Sequence, residues 1–249
     1  MNKYNDNGLI IYEGKSALDS HKDIVAILTG VISPSNNAKT GDMAQLWIMV
    51  KETNPFGAVQ TGEDYAVCGN CPLRGQVCYV NTAKAPLAIW QTYQRGRYRN
   101  VSAITWEQKY ILKMKKVRLG AYGDPAALPE EVIERVLALT SGYTGYTHQW
   151  RDDKVQWLKK YVLASVESIA DMKIANRNGW YTFRVGGQKD ERLVSERSCA
   201  NAENSGFTCS ICGACRAKSE QNIFINVHGT KHSLNSYAKL EKERTDCND

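Results

Sequence analysis

The chain has 249 residues, 43% hydrophobic and 23% charged, with 32 Lys and Arg against 26 Asp and Glu for a net charge of +6. That composition belongs to a globular protein with a full core, and it excludes disordered and collagen-like chains. No apolar run approaches the roughly 18 residues that a membrane span needs, and the opening MNKYNDNGLIIYEG lacks the basic end and apolar stretch of a signal peptide.

Strand candidates come first: Leu9–Tyr12, Ile24–Val31 and Leu46–Val50, each rich in β-branched or large apolar residues. A polar loop, Ser33–Asp42, separates the last two. After the first cysteines, helices are expected over about Ala85–Gln94 and Trp106–Met114. Val117–Ala121 reads as a strand ended by Tyr122-Gly-Asp-Pro125. Pro129 then opens a helix with Glu130 and Glu131 at its positive end and Val132, Ile133, Val136, Leu137 and Leu139 as its apolar stripe. Gly142 is expected to stop that helix in the left-handed conformation. Tyr143–His148 and the continuous apolar run Tyr161–Val166 read as strands, and Ser168 with Asp171 caps a helix, Ile169–Asn178, that Gly179 ends. Trp180–Val185 and Ile223–Val227 complete the strands.

This alternation is the rhythm of a parallel sheet with helical crossovers. The fold class is therefore α/β, a complete or partial β/α (TIM-like) barrel with cysteine-rich insertions, with a doubly wound open sheet as the alternative. One domain is expected over 1–249: N-terminal strands and the first cysteine cluster in 1–84, a β/α core in 85–187, and the second cluster, last strand and tail in 188–249. In either topology chemistry collects beyond the carboxyl ends of the strands.

Seven of the eight cysteines form two clusters. The expected location is the cytoplasm, where thiols stay reduced and such clusters signal metal or catalysis rather than disulfides. Cys68, Cys71 and Cys78 offer three thiols and no adjacent fourth ligand, which is the pattern of an open site. Cys209, Cys212 and Cys215 repeat a three-residue stride that resembles the run wrapping an iron–sulfur cluster, and Cys199 completes a set of four. His228 or His232 competes with Cys199 for that place, and zinc competes with iron at both sites. Cys247 reads as a spare.

At the strand ends, Gly120, Gly123 and Asp124 form a turn that permits close backbone approach to a ligand and offers a hydrogen-bond acceptor, or else is a tight turn using its residues in their usual roles. His148, Gln149 and Arg151 follow the next strand, Glu167 closes another, and Arg184 lies near the end of the one after. Arg184 and Glu167 read either as a structural ion pair or, with Arg151 and His148, as catalytic groups orienting a substrate. Between Gln91 and Lys116, Arg95, Arg97 and Arg99 and four lysines are interleaved with Tyr93, Tyr98, Trp106 and Tyr110. This is a solvated helix face or a surface for nucleic-acid phosphates and bases.

With three cysteines upstream of Gly120–Asp124, the chain resembles the radical S-adenosylmethionine enzymes. That resemblance implies a partial β/α barrel and a [4Fe-4S] cluster on Cys68, Cys71 and Cys78, its fourth iron open to S-adenosylmethionine, whose amine would meet Gly123 and Asp124. It also implies an auxiliary cluster on Cys199, Cys209, Cys212 and Cys215. The cysteine spacing departs from that family's, being two then six residues rather than three then two, and Asp stands where Glu is usual. Ser35–Gly41, Cys68–Arg74 and Gly145–Trp150 resemble uncharacterised bacteriophage-encoded proteins, which implies an infected bacterial cytoplasm and a nucleotide, nucleic acid or host macromolecule as substrate. The competing expectation is a metal-stabilised nucleic-acid-binding protein without catalysis.

Overall fold

The computed structural model describes residues 3–246 apart from 36, 76, 205, 229 and 230. Cys247 and the side chain of His232 therefore lie outside the described residues. In chain order the elements are β1 (Gly8–Lys15), β2 (Asp23–Thr29), β3 (Ala44–Val50), α1 (Pro55–Thr61), α2 (Tyr65–Cys68), α3 (Ala85–Gln94), β4 (Arg99–Asn100) and α4 (Trp106–Met114). There follow β5 (Lys116–Tyr122), α5 (Glu130–Leu139), β6 (Gly142–Thr147), β7 (Leu163–Val166), α6 (Ile169–Arg177) and β8 (Thr182–Gly186). The last are β9 (Glu196–Ser198), α7 (Ala200–Glu203), α8 (Cys209–Cys212), β10 (Asn222–Asn226) and α9 (Lys231–Asp246). No helix among the described residues is long and apolar enough to cross a membrane.

All the strands lie in one sheet, in the order β4-β1-β2-β3-β5-β6-β7-β8-β10-β9. The fold is α/β and mostly parallel. β2 alone runs against its neighbours, through antiparallel ladders with β1 and β3, and every pairing from β3 to β9 is parallel. The sequence pattern did not reveal this antiparallel start. The connection between β1 and β2 is too short to hold a crossover helix, and none lies among the described residues between β2 and β3, so successive strands fold back on one another.

Local chemistry explains the elements that matter for the site. Thr105 and Gln108 form a reciprocal capping box that opens α4, and Ser168 accepts from the Asp171 amide to open α6. α5 buries Val132, Ile133 and Val136 against the sheet. Gly142 does not stop α5. Thr140 closes that helix in an extended conformation and Gly142 is the first residue of β6, because Ser141 and Gly142 already pair with β5. The tail after β10 is the helix α9, which its polar sequence concealed.

Period-two alternation divides the buried residues between the two faces of the sheet. Leu9, Ile27, Leu46, Ile48, Val117, Leu119, Ala164 and Val166 join the main core with Val132, Ile133 and Trp180. Each fully buried aliphatic side chain there contributes about 1.5–3 kcal/mol. A second, smaller cluster of Leu163, Phe183, Ala214 and Ile223 holds Tyr146, Cys199, Cys212 and Cys215 against it. The second cysteine segment therefore covers one face of the sheet.

Candidate metal centres

The first cysteine loop runs from the end of α2 to α3 and is fastened to the carboxyl ends of the following strands. Gln149 latches it, donating from Nε2 to the Cys68 carbonyl at 2.9 Å and accepting from the Asn70 amide at 3.0 Å. Gly69 between them has φ +53°, and a Cβ there would meet Gln149 Oε1 at 2.5 Å. The Asp124 amide donates to the Val67 carbonyl at 2.6 Å, tying the end of β5 to α2 just before Cys68.

Around this loop the ends of successive strands deliver polar groups: Asp124 after β5, His148 after β6 and Glu167 after β7. The His148 Nε2–H donates to Glu167 Oε1 at 3.0 Å, with both side chains largely buried. The Cys71 side chain lies close enough to act on the same imidazole. Burial works against a charged imidazole here, but Cys71 and Glu167 outweigh it and hold His148 well above the usual histidine range. Burial pushes the Cys68 and Cys78 thiols up, and the charges of the neighbouring cysteines and of Asp64 act on both in the same direction. The charges of Cys71 and Cys78 both act on Cys68, and that of Cys71 on Cys78, so the three cysteines lie within electrostatic reach of one another. Without a cation the two buried thiols stay protonated; with one they become thiolates.

A further residue points into this site. Tyr122, the last residue of β5, is 4% exposed and its hydroxyl has no hydrogen-bond partner among the described residues. Burial, then the charges of Cys68, Asp64 and Cys78, raise its phenol far above the usual range. Arg74 Nη1 is likewise buried without a hydrogen-bond partner, 3.7 Å from Asp64 Oδ1. A buried hydroxyl with no acceptor is rare. A metal–sulfur group on Cys68 and Cys78 would accept its proton, so the donor set fits such a group. Among the described residues no three His, Cys, Asp or Glu side chains stand at coordination separation.

Several expected site residues are engaged by the protein itself. The Asp124 carboxylate accepts from the Ala126 amide at 2.9 Å, the Thr147 hydroxyl at 2.7 Å and the His148 amide at 2.8 Å. It thus fastens β5 to β6 and orients His148. Gly120 and Gly123 are left-handed, and Cβ atoms there would meet the Gly123 and Ile48 carbonyl oxygens, each at 2.6 Å, so the close approach that requires glycine is made by backbone. Arg184 does not pair with Glu167. It makes a buried bidentate pair with Glu196, both contacts at 2.7 Å, donates to the Glu191 carbonyl and stacks over Phe224. Arg151 is exposed, bonded to Asp171 and stacked over Trp150.

The second cluster lies at the opposite ends of the strands. The Cys209 amide donates to the Lys39 carbonyl before β3, Lys116 Nζ reaches the Ser210 carbonyl from the start of β5, and the Ala217 amide meets the Tyr161 carbonyl before β7. Burial and then the charges of Cys199, Cys209 and Cys212 raise the Cys215 thiol, and Cys199, Cys212 and Cys215 pack against the same small apolar cluster. His228 Nε2 lies 2.5 Å from Nζ of Lys39, the residue whose carbonyl accepts the Cys209 amide, and its Nδ1 lies 3.0 Å from the Asn226 carbonyl. Arg118 stands beside this cluster. Burial opposes its charge, but Tyr146, Tyr79, Cys209 and Cys215 hold it more firmly protonated than an ordinary arginine.

Arg95 and Arg97 line an open cavity of about 410 Å³ with Asn5 and Thr92. Arg99 pairs with Asp6 at 3.4 Å and stacks over Tyr4. On α4, Trp106 and Tyr110 stack with ring centroids 5.3 Å apart and remain 77% and 54% exposed.

Sequence reading missed Tyr122, Glu196, Tyr79, Arg118 and Tyr146. One signal was available for Arg118: in the run Lys116-Val-Arg-Leu-Gly-Ala-Tyr122 it is, with Lys116, one of two charged residues on an interior strand. No family model matches this chain, and no curated protein or solved structure proved similar to it.

Proposed function

We propose that this protein is an iron–sulfur enzyme of the radical S-adenosylmethionine kind, with Cys68, Cys71 and Cys78 holding its reactive cluster. The observation that carries the reading is the unsatisfied Tyr122 hydroxyl facing Cys68 and Cys78 at the carboxyl end of the sheet. The site falls where parallel α/β folds gather their chemistry. Strand order from β3 to β8 advances in one direction without a switch point, which supports a partial β/α barrel over a doubly wound sheet.

A [4Fe-4S] cluster bound there would supply one electron to S-adenosylmethionine at its open iron. The protein's own residues would do the rest. Tyr122 donates its hydroxyl proton to sulfur, Gln149 fixes the loop, and Glu167 orients His148, whose cationic ring sits beside Cys71. Asp124 acts by holding His148 in place rather than by touching a cofactor. Arg184 is a structural partner of Glu196 in this reading. Cys199, Cys209, Cys212 and Cys215 hold a second, closed cluster or a zinc ion. The expected setting is a bacterial cytoplasm, with a nucleotide, nucleic acid or host macromolecule as substrate.

A second reading has its own support. A histidine against a ligand cysteine, its other ring nitrogen backed by a carboxylate, is the usual outer arrangement of a metal-bound imidazole. His148 would then close the first site as a structural Cys3His centre. The stacked, exposed Trp106 and Tyr110 on α4, with Lys109 between them, would supply a surface for single-stranded nucleic acid. Anaerobic reconstitution with iron and sulfide tests the choice. The enzyme reading expects a brown protein that keeps its first cluster in His148→Ala. A colourless protein with two zinc ions, one lost in His148→Ala, would establish the binding module instead.

A further inference from the structure

Arg118 projects from the middle of β5 onto the face covered by the second cysteine segment. Its Nη2 donates to Tyr146 Oη at 2.8 Å and to Tyr79 Oη, and the two hydroxyls lie 3.4 Å apart. The guanidinium carbon is 5.8 Å from the Tyr79 ring centroid and 5.9 Å from that of Tyr146. The two tyrosines lead in different directions. Tyr79 directly follows Cys78 in the chain. Tyr146 stacks on Phe183 with centroids 4.7 Å apart and packs in one apolar cluster with Cys199, Cys212 and Cys215. The Gly145 amide beside it donates to the Cys215 carbonyl at 2.8 Å.

We infer that Arg118 is a positioning residue shared by the two cysteine sites, and that through it filling the second site favours filling the first. The inference rests on the reading of both clusters as metal sites, whichever metal they hold. Four thiolates around a divalent metal leave a net negative charge, so a loaded second site attracts the guanidinium and holds it in place. The planar fork of arginine can then keep two fixed partners at once, which a lysine ammonium on its flexible stem does less well. A fixed Tyr79 hydroxyl restrains the chain next to Cys78 and lowers the ordering cost of closing the three thiols on a metal. Such coupling is reciprocal, so the first site must favour the second by the same factor.

The test uses the metal-free full-length protein and Co(II), whose thiolate absorbance reports each site directly, in competition with a chelator. Wild type is expected to bind two equivalents. Cys212→Ser should abolish the second site and weaken the first by roughly fivefold or more. Tyr79→Phe should weaken the first by a similar factor, leave the second unchanged when the first is empty, and add nothing further in the Cys212→Ser background. Arg118→Met should weaken both, and Arg118→Lys should spare the second site more than the first. First-site affinity unmoved by Tyr79→Phe and Cys212→Ser would overturn the coupling while leaving the metal reading intact. Should Cys212→Ser fail to fold, Tyr79→Phe alone decides. Wild type without cobalt–thiolate absorbance would overturn both.

Discussion

Replacing Tyr122 by Phe removes one oxygen from a ring that is 4% exposed and leaves the packing of β5 otherwise unchanged. The hydroxyl has no hydrogen-bond partner among the described residues. A buried polar group in that condition costs about 1–3 kcal/mol. Metal-free Tyr122→Phe should therefore be more stable than wild type by up to that amount, a rise of about 2–4 °C in Tm for each kcal/mol in a chain of this size. In the loaded protein the sign reverses. The hydroxyl would then donate to a charged metal–sulfur group, a bond worth about 1.5–3 kcal/mol, and the variant should be the less stable. Urea unfolding of both proteins, with chelator and after anaerobic reconstitution with iron and sulfide, measures the two differences. A variant equally destabilised in both states would refute the claim that Tyr122 faces a sulfur-bound group.

Arg184→Met should cost about 3–5 kcal/mol in urea unfolding, because it leaves the Glu196 carboxylate buried and unpaired; loss of activity with full stability would instead return Arg184 to the substrate. Asp64 has its carboxyl raised by burial, with Arg74 only partly offsetting that. Because the folded state binds this proton more tightly than the unfolded one, stability from this group is present in acid and falls as pH rises through the folded-state value. Asp64→Asn should accordingly stabilise the metal-free protein at neutral pH, with the gain vanishing below the ordinary carboxylate range; a gain independent of pH would contradict this. Under the nucleic-acid reading, Trp106→Ala with Tyr110→Ala should lose about 1–3 kcal/mol of single-strand affinity per stacked base while the salt dependence persists; unchanged affinity would remove α4 from the interface.

The α/β class and the places of the crossover strands along the chain were legible because local signals agreed with the global fold. The bounds expected for the helices at Ala85–Gln94 and Trp106–Met114 coincide with those of α3 and α4, and Ser168 caps α6 as its pattern implied. Gly142 misled because a glycine after an apolar stripe usually marks a helix end, whereas here β-pairing with Lys116 claims it for β6. Partner choice was the harder problem. Arg184 and Glu167 follow successive strands, yet a loop carries Glu196 back to Arg184, and Glu167 meets His148 instead. Nothing in the spacing of Cys71, His148 and Glu167 announces that three segments converge there; that convergence is a property of the sheet. Arg118 was hidden for the same reason, since its partners come from loops and strands far apart in the chain.

The most direct test is electron paramagnetic resonance of the reduced protein, reconstituted anaerobically with iron and sulfide, with and without S-adenosylmethionine. A [4Fe-4S] signal that disappears in Cys78→Ala and changes when S-adenosylmethionine is added is the expected result. A first site that takes up no iron, or whose signal is indifferent to S-adenosylmethionine, would contradict the account.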